Sequence, residues 1–174
     1  MKNIVNELLN NKMKLGVLVL IVVTGWMINY GAWVDLQSDS VISSLAYGVG
    51  SSNSAVNNLK DGSMSISDYV KLMKAMNVTE EAQGMQIYML VTFVLTVASV
   101  FLVFKERKKA QISMIALIVM SVCHVLVGTG YVDTVNNQLR NAVELSGTAY
   151  MAVVAAIASF VLWKKYRKSL EMNG

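Results

Sequence analysis

The chain has 174 residues, of which 55% are hydrophobic and 15% are charged, and its mean hydropathy is +0.49. Soluble domains carry about 25% charged residues, so this composition excludes an ordinary soluble globular domain. The net charge is +4, and most of the basic residues are grouped in short segments. Such segments favour contact with anionic lipid head groups over binding to nucleic acid.

The N-terminal segment combines lysines with a short apolar stripe. Ile4, Val5, Leu8 and Leu9 share one side of a helix. This pattern predicts a cytoplasmic amphipathic segment over residues 1–13 that lies on the membrane surface. A helix folded into a pore mouth is the open alternative.

Four uncharged runs follow, and each is long enough to cross a bilayer, because a helix rises about 1.5 Å per residue and the hydrocarbon core is about 30 Å thick. The runs contain 20, 23, 23 and 19 residues, between Lys14 and Asp35, Glu81 and Lys105, Lys109 and Asp133, and Glu144 and Lys164. We therefore predict an all-α membrane protein with transmembrane helices at 14–34, 82–104, 111–132 and 147–163. The first run lacks a small-x-small cleavage pattern, which predicts a retained helix.

The basic residues predict an orientation. Eleven of the fifteen Lys and Arg residues fall in residues 1–14, the loop 105–110 and the tail 164–174. The other four fall in the loops 35–81 and 133–146. By the positive-inside rule both termini are predicted to be cytoplasmic. The Asn-, Lys- and Met-rich usage suggests an AT-rich bacterial or phage genome, and the predicted location is the bacterial cytoplasmic (inner) membrane.

The first outer loop, 35–81, is predicted to fold into a small helical cap. An apolar stripe with helical spacing runs from Ile42 to Leu59, and Ser67 is positioned to cap a second helix. Thr79, followed by two glutamates, indicates the start of a helix that continues into the second span. The short outer loop also has helical spacing.

Two pairs of segments match along the chain. "GAWVD" (31–35) resembles "TGYVD" (129–133), and "FLVFKERKK" (101–109) resembles "FVLWKKYRK" (160–168). The matches indicate a tandem repeat of one helical hairpin. Convergence remains open, because any helix that leaves a membrane inward tends to end in an aromatic residue followed by basic ones.

Cys123 and His124, the only cysteine and the only histidine, are adjacent in the third run. Adjacent helical positions point about 100° apart, so the two side chains cannot readily bind one metal ion together. A lone cysteine also has no internal redox partner. We therefore predict no metal and no cofactor. For His124 two interpretations stay open, a neutral side chain hydrogen-bonded across helices and a proton-responsive or ligand-contacting one.

Small and polar residues form stripes along the predicted spans. Such stripes are typical of helix–helix contacts, and they could also mediate self-assembly or line a narrow polar path. The candidate pore or helix-interface residues are Asn29, Thr92, Thr96, Ser99, Ser121, His124, Gly128, Ala152 and Ala156. The sequence contains no Gly-rich phosphate loop and no metal-spaced cluster, so no catalytic residues are predicted.

The layout of four spans, a long first outer loop and both ends inside is similar to that of claudins and connexins. The cysteines in the outer loops of those families are absent here, so the resemblance covers topology only. The basic N-terminal segment that leads through a span into an outer helical region also resembles the start of a bacterial chemoreceptor. The outer region is too short for the sensor bundle of that family, and no signalling domain is expected.

These features predict a non-enzymatic membrane protein that self-assembles into a channel-like or scaffold homo-oligomer. Its immediate partner would be the lipid bilayer, and no nucleic acid is expected. The alternative is an accessory, immunity or sensory subunit that docks a different membrane protein through the outer loop 36–80.

Overall fold

The computed structural model describes residues 2–37, 62–106, 108–139 and 143–173, and it is predominantly helical. The elements are α1 (Lys2–Tyr30), β1 (Val34–Leu36), β2 (Ser63–Met64), α2 (Ile66–Ala75), α3 (Thr79–Phe104), α4 (Ala110–Leu139), β3 (Val143–Leu145) and α5 (Gly147–Asn173). Four of the helices, α1, α3, α4 and α5, are long and apolar enough to cross a membrane. These four form the bundle.

The long helices extend past the predicted spans. α1 is helical from Lys2 onward, so the segment predicted over 1–13 continues directly into the first span. α3 begins at Thr79, as its two glutamates indicated. α5 continues to Asn173, because the basic tail consists of helix-forming residues and contains no proline.

The bundle helices pack side by side around an apolar interior. α1 lies against α5 and α3, and α4 lies against the same two helices. Val17, Met114 and Trp163, from three different helices, are buried in one core cluster. The outward faces carry large exposed apolar side chains such as Ile87 and Ile112. An apolar exterior of this kind suits contact with lipid rather than with water.

A small sheet joins one end of the bundle, and we call this the sheet end. It has three strands in the order β2-β1-β3, and both pairs are antiparallel. Val34 in the central strand pairs with Met64 on one side and with Leu145 on the other. The prediction of an all-α chain missed this sheet, because strands of two or three residues are too short to show an alternating pattern.

α2 covers the sheet end and begins with a capping box. The Ser65 hydroxyl accepts a hydrogen bond from the Asp68 backbone N–H, and the Asp68 carboxylate accepts one from the Ser65 N–H. Ser67, predicted as the cap, lies inside the first turn of α2, so that prediction was wrong by two residues. The predicted stripe from Ile42 to Leu59 lies outside the described residues.

The two segments that suggested a repeat adopt different conformations. "GAWVD" leaves α1 and enters β1, whereas "TGYVD" lies within α4. The second matched pair also differs, since the helix ends at Phe104 in one copy and continues to Asn173 in the other. The sequence similarity therefore does not extend to the local backbone at these positions.

A hydrogen-bonded cluster closes the opposite end of the bundle, which we call the basic end. Lys14 donates to the Glu106 carboxylate at 2.7 Å, and the Tyr166 hydroxyl donates to the same oxygen at 2.6 Å. The bond from Lys14, followed by the bond from Tyr166, lowers the pKa of the Glu106 carboxyl. Glu106 has φ 55°, in the left-handed region, within the turn between α3 and α4. One carboxylate thus joins α1, this turn and α5.

Candidate functional site

The bundle turns most of the predicted interface residues inward. Thr92, Ser99, Ser121 and His124 are at most 1% exposed. Asn29, Gly128, Ala152 and Ala156 are also buried, and Thr96 is half-buried. Except for Asn29 and Thr96, which line a groove on the exterior, these side chains therefore pack within one copy of the chain.

Three of the predicted hydroxyl groups bond within their own helix. Thr92 donates to the Tyr88 carbonyl at 3.0 Å, and Thr96 donates to the Thr92 carbonyl at 2.8 Å. Ser121 donates to the Ile118 carbonyl at 2.8 Å. Bonds of this type satisfy a hydroxyl in an apolar setting without linking two helices. These residues therefore serve close packing rather than cross-helix hydrogen bonding.

His124 lies near α2, beside a small cavity. Its ring faces those of Trp33 and Tyr88, with centroids 6.2 and 6.5 Å away. The cavity measures about 20 Å³, and Ile66 and Val127 also line it. Both ring nitrogens of His124 are buried and have no hydrogen-bond partner. A cavity of this size is large enough for one water molecule. The surface that lines the cavity is apolar, so the buried His124 nitrogens do not open onto it.

Trp33 packs against His124 directly before β1 begins. The sequence did not single out Trp33 as a site residue. Its indole N–H donates to the His124 backbone carbonyl at 3.2 Å. Its ring stacks on Tyr131 at 5.3 Å and meets the edge of Tyr69 at 5.7 Å. A Cβ atom added at Gly128 would lie 2.7 Å from the indole nitrogen, so glycine is required for this approach. Gly128, singled out for its small size, therefore accommodates Trp33.

Cys123 does not join His124 in a common site. Cys123 is half-buried, whereas the adjacent His124 is fully buried, as expected from the angle between neighbouring helical positions. Within the described residues, no group of three or more His, Cys, Asp or Glu side chains could hold a metal ion.

A second recess, the α1–α3 groove, opens on the apolar exterior of the bundle. It measures about 180 Å³, and its rim consists of the exposed rings of Trp26, Tyr30 and Phe93. Asn29 lines it as well, and its amide nitrogen donates to the Met89 carbonyl at 3.5 Å. The Asn29 amide oxygen is buried and has no hydrogen-bond partner.

Close contact between the two helices forms the floor of this groove. A Cβ atom added at Gly25 would lie 2.8 Å from the Thr96 methyl carbon, so the helices approach through this glycine. Small residues allow such an approach in membrane helices. Asn29 and Thr96 are therefore brought together here, away from His124 and Gly128.

No family model, no curated protein and no solved structure matches this chain. Only the geometry of the bundle, its cap and its grooves therefore bears on what the protein does.

Proposed function

We propose that this chain is a non-enzymatic integral membrane protein that assembles with copies of itself into a scaffold. The four long apolar helices and their exposed apolar faces support a location in the bilayer. The basic residues around Lys14, in the turn after Phe104 and along the end of α5 lie at one end of the bundle. By the positive-inside rule this end faces the cytoplasm, and the sheet end with its cap faces outward. The membrane proposed is the bacterial inner membrane.

The observation that carries the self-assembly proposal is the α1–α3 groove. An amide oxygen without a partner is costly in an apolar setting, and a donor from a neighbouring helix would satisfy it. The groove itself carries two exposed donors, the Trp26 indole N–H and the Tyr30 hydroxyl. Two copies that face each other groove to groove would each supply a donor to Asn29 of the other. Such self-complementarity is what a twofold interface requires.

The same geometry favours a scaffold over a conducting channel. The buried polar residues Thr92, Ser121 and His124 lie inside each copy rather than on the faces available to a neighbour. The exposed faces of the long helices carry residues such as Leu15, Val19 and Ile112. A path between copies would therefore have apolar walls along the described residues.

The test is the native mass of the purified protein in nanodiscs or mild detergent, with Asn29→Ala as the variant. The proposal expects a discrete homo-oligomer whose dissociation constant rises about ten- to a hundredfold in the variant, the effect of losing two symmetry-related hydrogen bonds between membrane helices. Thr129→Ala is the matched control, because its exposed hydroxyl bonds within α4 and lies outside the groove. A clean monomer at every protein-to-lipid ratio would contradict the proposal.

The alternative function, docking of a different protein at the outer loop 36–80, is favoured by a groove at the sheet end to which Gln37 contributes from that loop. This groove measures about 450 Å³, and polar side chains such as Asn136 and Glu144 line it beside apolar ones. A mixed lining of this kind suits a protein surface exposed to water. Under this alternative the purified chain is monomeric, and cross-linking through 36–80 captures one defined partner.

A further inference from the structure

A wide groove at the basic end lies between the start of α4 and the end of α5. It measures about 640 Å³, and four basic side chains line it, those of Lys108, Lys164, Arg167 and Lys168. Glu171 is the one acidic side chain in the lining. The groove is therefore a concave, strongly cationic surface where the bundle leaves its apolar region.

The helices concentrate this positive charge in two ways. Along α5, Lys164, Arg167 and Lys168 are three and four residues apart, so they lie on one face. α4 begins at Ala110, directly beside the groove, and the N-terminus of a helix carries a partial positive charge. The Glu106 carboxylate interacts electrostatically with Arg167, but the ammonium group of Lys14, 2.7 Å from that carboxylate, offsets its negative charge.

Apolar surface continues from the groove toward the sheet end. Trp163 lines the groove and is itself buried, which places an aromatic side chain beside the cations. Farther along the two helices, Ile115 on α4 and both Ile157 and Val161 on α5 are exposed. A molecule with a phosphate at one end and hydrocarbon at the other could contact the cationic groove and the apolar surface at the same time.

We propose that this groove binds the head group of an anionic phospholipid. Arg167 offers its planar guanidinium to two phosphate oxygens, and the lysines supply further charge. Gln111, which also lines the groove, offers an amide to a head-group hydroxyl. The acyl chains lie along the exposed apolar residues of α4 and α5. The inference rests on the bilayer location proposed above and is independent of self-assembly.

The test is native mass spectrometry of the delipidated protein in a non-ionic detergent, titrated with phosphatidylglycerol or with phosphatidylcholine. The expected result is one retained phosphatidylglycerol per chain and weaker retention of phosphatidylcholine. The variant is the double substitution Arg167→Gln with Lys168→Gln. The matched control is Lys105→Gln with Lys165→Gln, which removes the same charge from exposed positions outside the groove.

We expect the control pair to lose only the diffuse attraction shared by every basic residue near a membrane surface, and the groove pair to weaken phosphatidylglycerol binding about fivefold further. Equal losses in the two pairs would overturn the proposal, and so would equal retention of the two lipids by the unsubstituted protein. Binding of free glycerol phosphate as tightly as phosphatidylglycerol in the same titration would overturn it in favour of a soluble phosphate ligand. The same spectra report the number of chains per particle, so failure of self-assembly is seen separately. A protein that stays soluble without detergent would instead refute the bilayer location.

Discussion

His124 has two buried ring nitrogens without a hydrogen-bond partner, in contact with Trp33 and Tyr88. The link from His124 to a neighbouring element is its backbone carbonyl, which accepts from the Trp33 indole. A buried polar group without a partner costs about 1–3 kcal/mol. Within the described residues the His124 ring is therefore held by packing against other aromatic rings and not by a hydrogen bond from either ring nitrogen.

Substitution of His124 separates packing from hydrogen bonding. We expect His124→Phe to leave the free energy of unfolding unchanged or higher, because the ring is kept and the unpartnered nitrogens are removed. His124→Ala should lower it by about 2 kcal/mol or more, because it opens a cavity. Denaturation in mixed micelles measures both. A loss in His124→Phe as large as that in His124→Ala would mean that the nitrogens form a bond that stabilises the fold.

Gly128 and Gly130 offer a matched pair in one helix. Gly128→Ala should destabilise the protein by about 1–3 kcal/mol, because the added methyl group would displace the Trp33 indole and its bond to His124. A Cβ at Gly130 meets no atom within 4 Å, so Gly130→Ala should be neutral or stabilise by up to about 1 kcal/mol. Thermal unfolding followed by tryptophan fluorescence compares the two. Equal effects would show that the approach of Trp33 does not depend on glycine.

Among the predicted site residues, the sequence identified the inward-facing set but not its partners. Helical spacing alone places Ser121, His124 and Gly128 on a common face, and the structure buries all three. Trp33 could not be assigned to the same place, because its contacts depend on a chain reversal into β1. An aromatic residue after a membrane helix ordinarily indicates the lipid–water interface.

At the scale of the elements, the start of α2 provides a direct comparison between two serines. Ser65→Ala removes the capping box and should destabilise α2 by about 1 kcal/mol. Ser67→Ala, at the position that the sequence favoured, should change the stability of α2 by a few tenths of a kcal/mol at most, since alanine is a good helix former. Hydrogen exchange across Ile66–Ala75 measures both. Faster exchange in Ser67→Ala than in Ser65→Ala would contradict the capping box.

The long helices were predictable and the sheet was not, for one physical reason. An uncharged run of about twenty residues is a strong signal, because only a helix satisfies its backbone groups in an apolar medium. The strands β1, β2 and β3 contain two or three residues each, and their hydrogen bonds join positions far apart in the sequence. The Trp33 N–H donates to the Met64 carbonyl. A backbone bond of this kind does not depend on side-chain identity, so the sequence pattern does not predict it.

At the scale of the whole molecule, the two ends of the bundle are held by different forces. The sheet end is joined by backbone hydrogen bonds and by Asn136, whose amide both donates to and accepts from the backbone of Val143. The basic end is joined through the Glu106 carboxylate and its two donors. The basic end should therefore respond to pH through this group, whereas the backbone bonds of the sheet do not titrate.

The lowered pKa of Glu106 fixes the sign of that response. A carboxyl whose pKa is lower in the folded state contributes stability above its unfolded pKa and loses it as pH falls through the folded value, here below 4.5. We expect a loss of less than about 1 kcal/mol, because the Glu106 side chain is 41% exposed. The melting temperature of the wild type should therefore fall more steeply on acidification than that of Glu106→Gln. Glu144→Gln, at an exposed position of β3, is the control for removal of a carboxylate elsewhere. A fall in Glu106→Gln parallel to that of the wild type would contradict the assignment.

The order of strands in the sheet has a consequence for biosynthesis. The central strand β1 is made first, β2 follows, and β3 comes only after α3 and α4. In a chain synthesised from its N-terminus, one edge of β1 stays open until residues 143–145 have emerged. An open strand edge can pair with a strand of another polypeptide. A ribosome that stalls before residue 143 would leave a nascent chain with this edge exposed, and completion of β3 is the step that closes it.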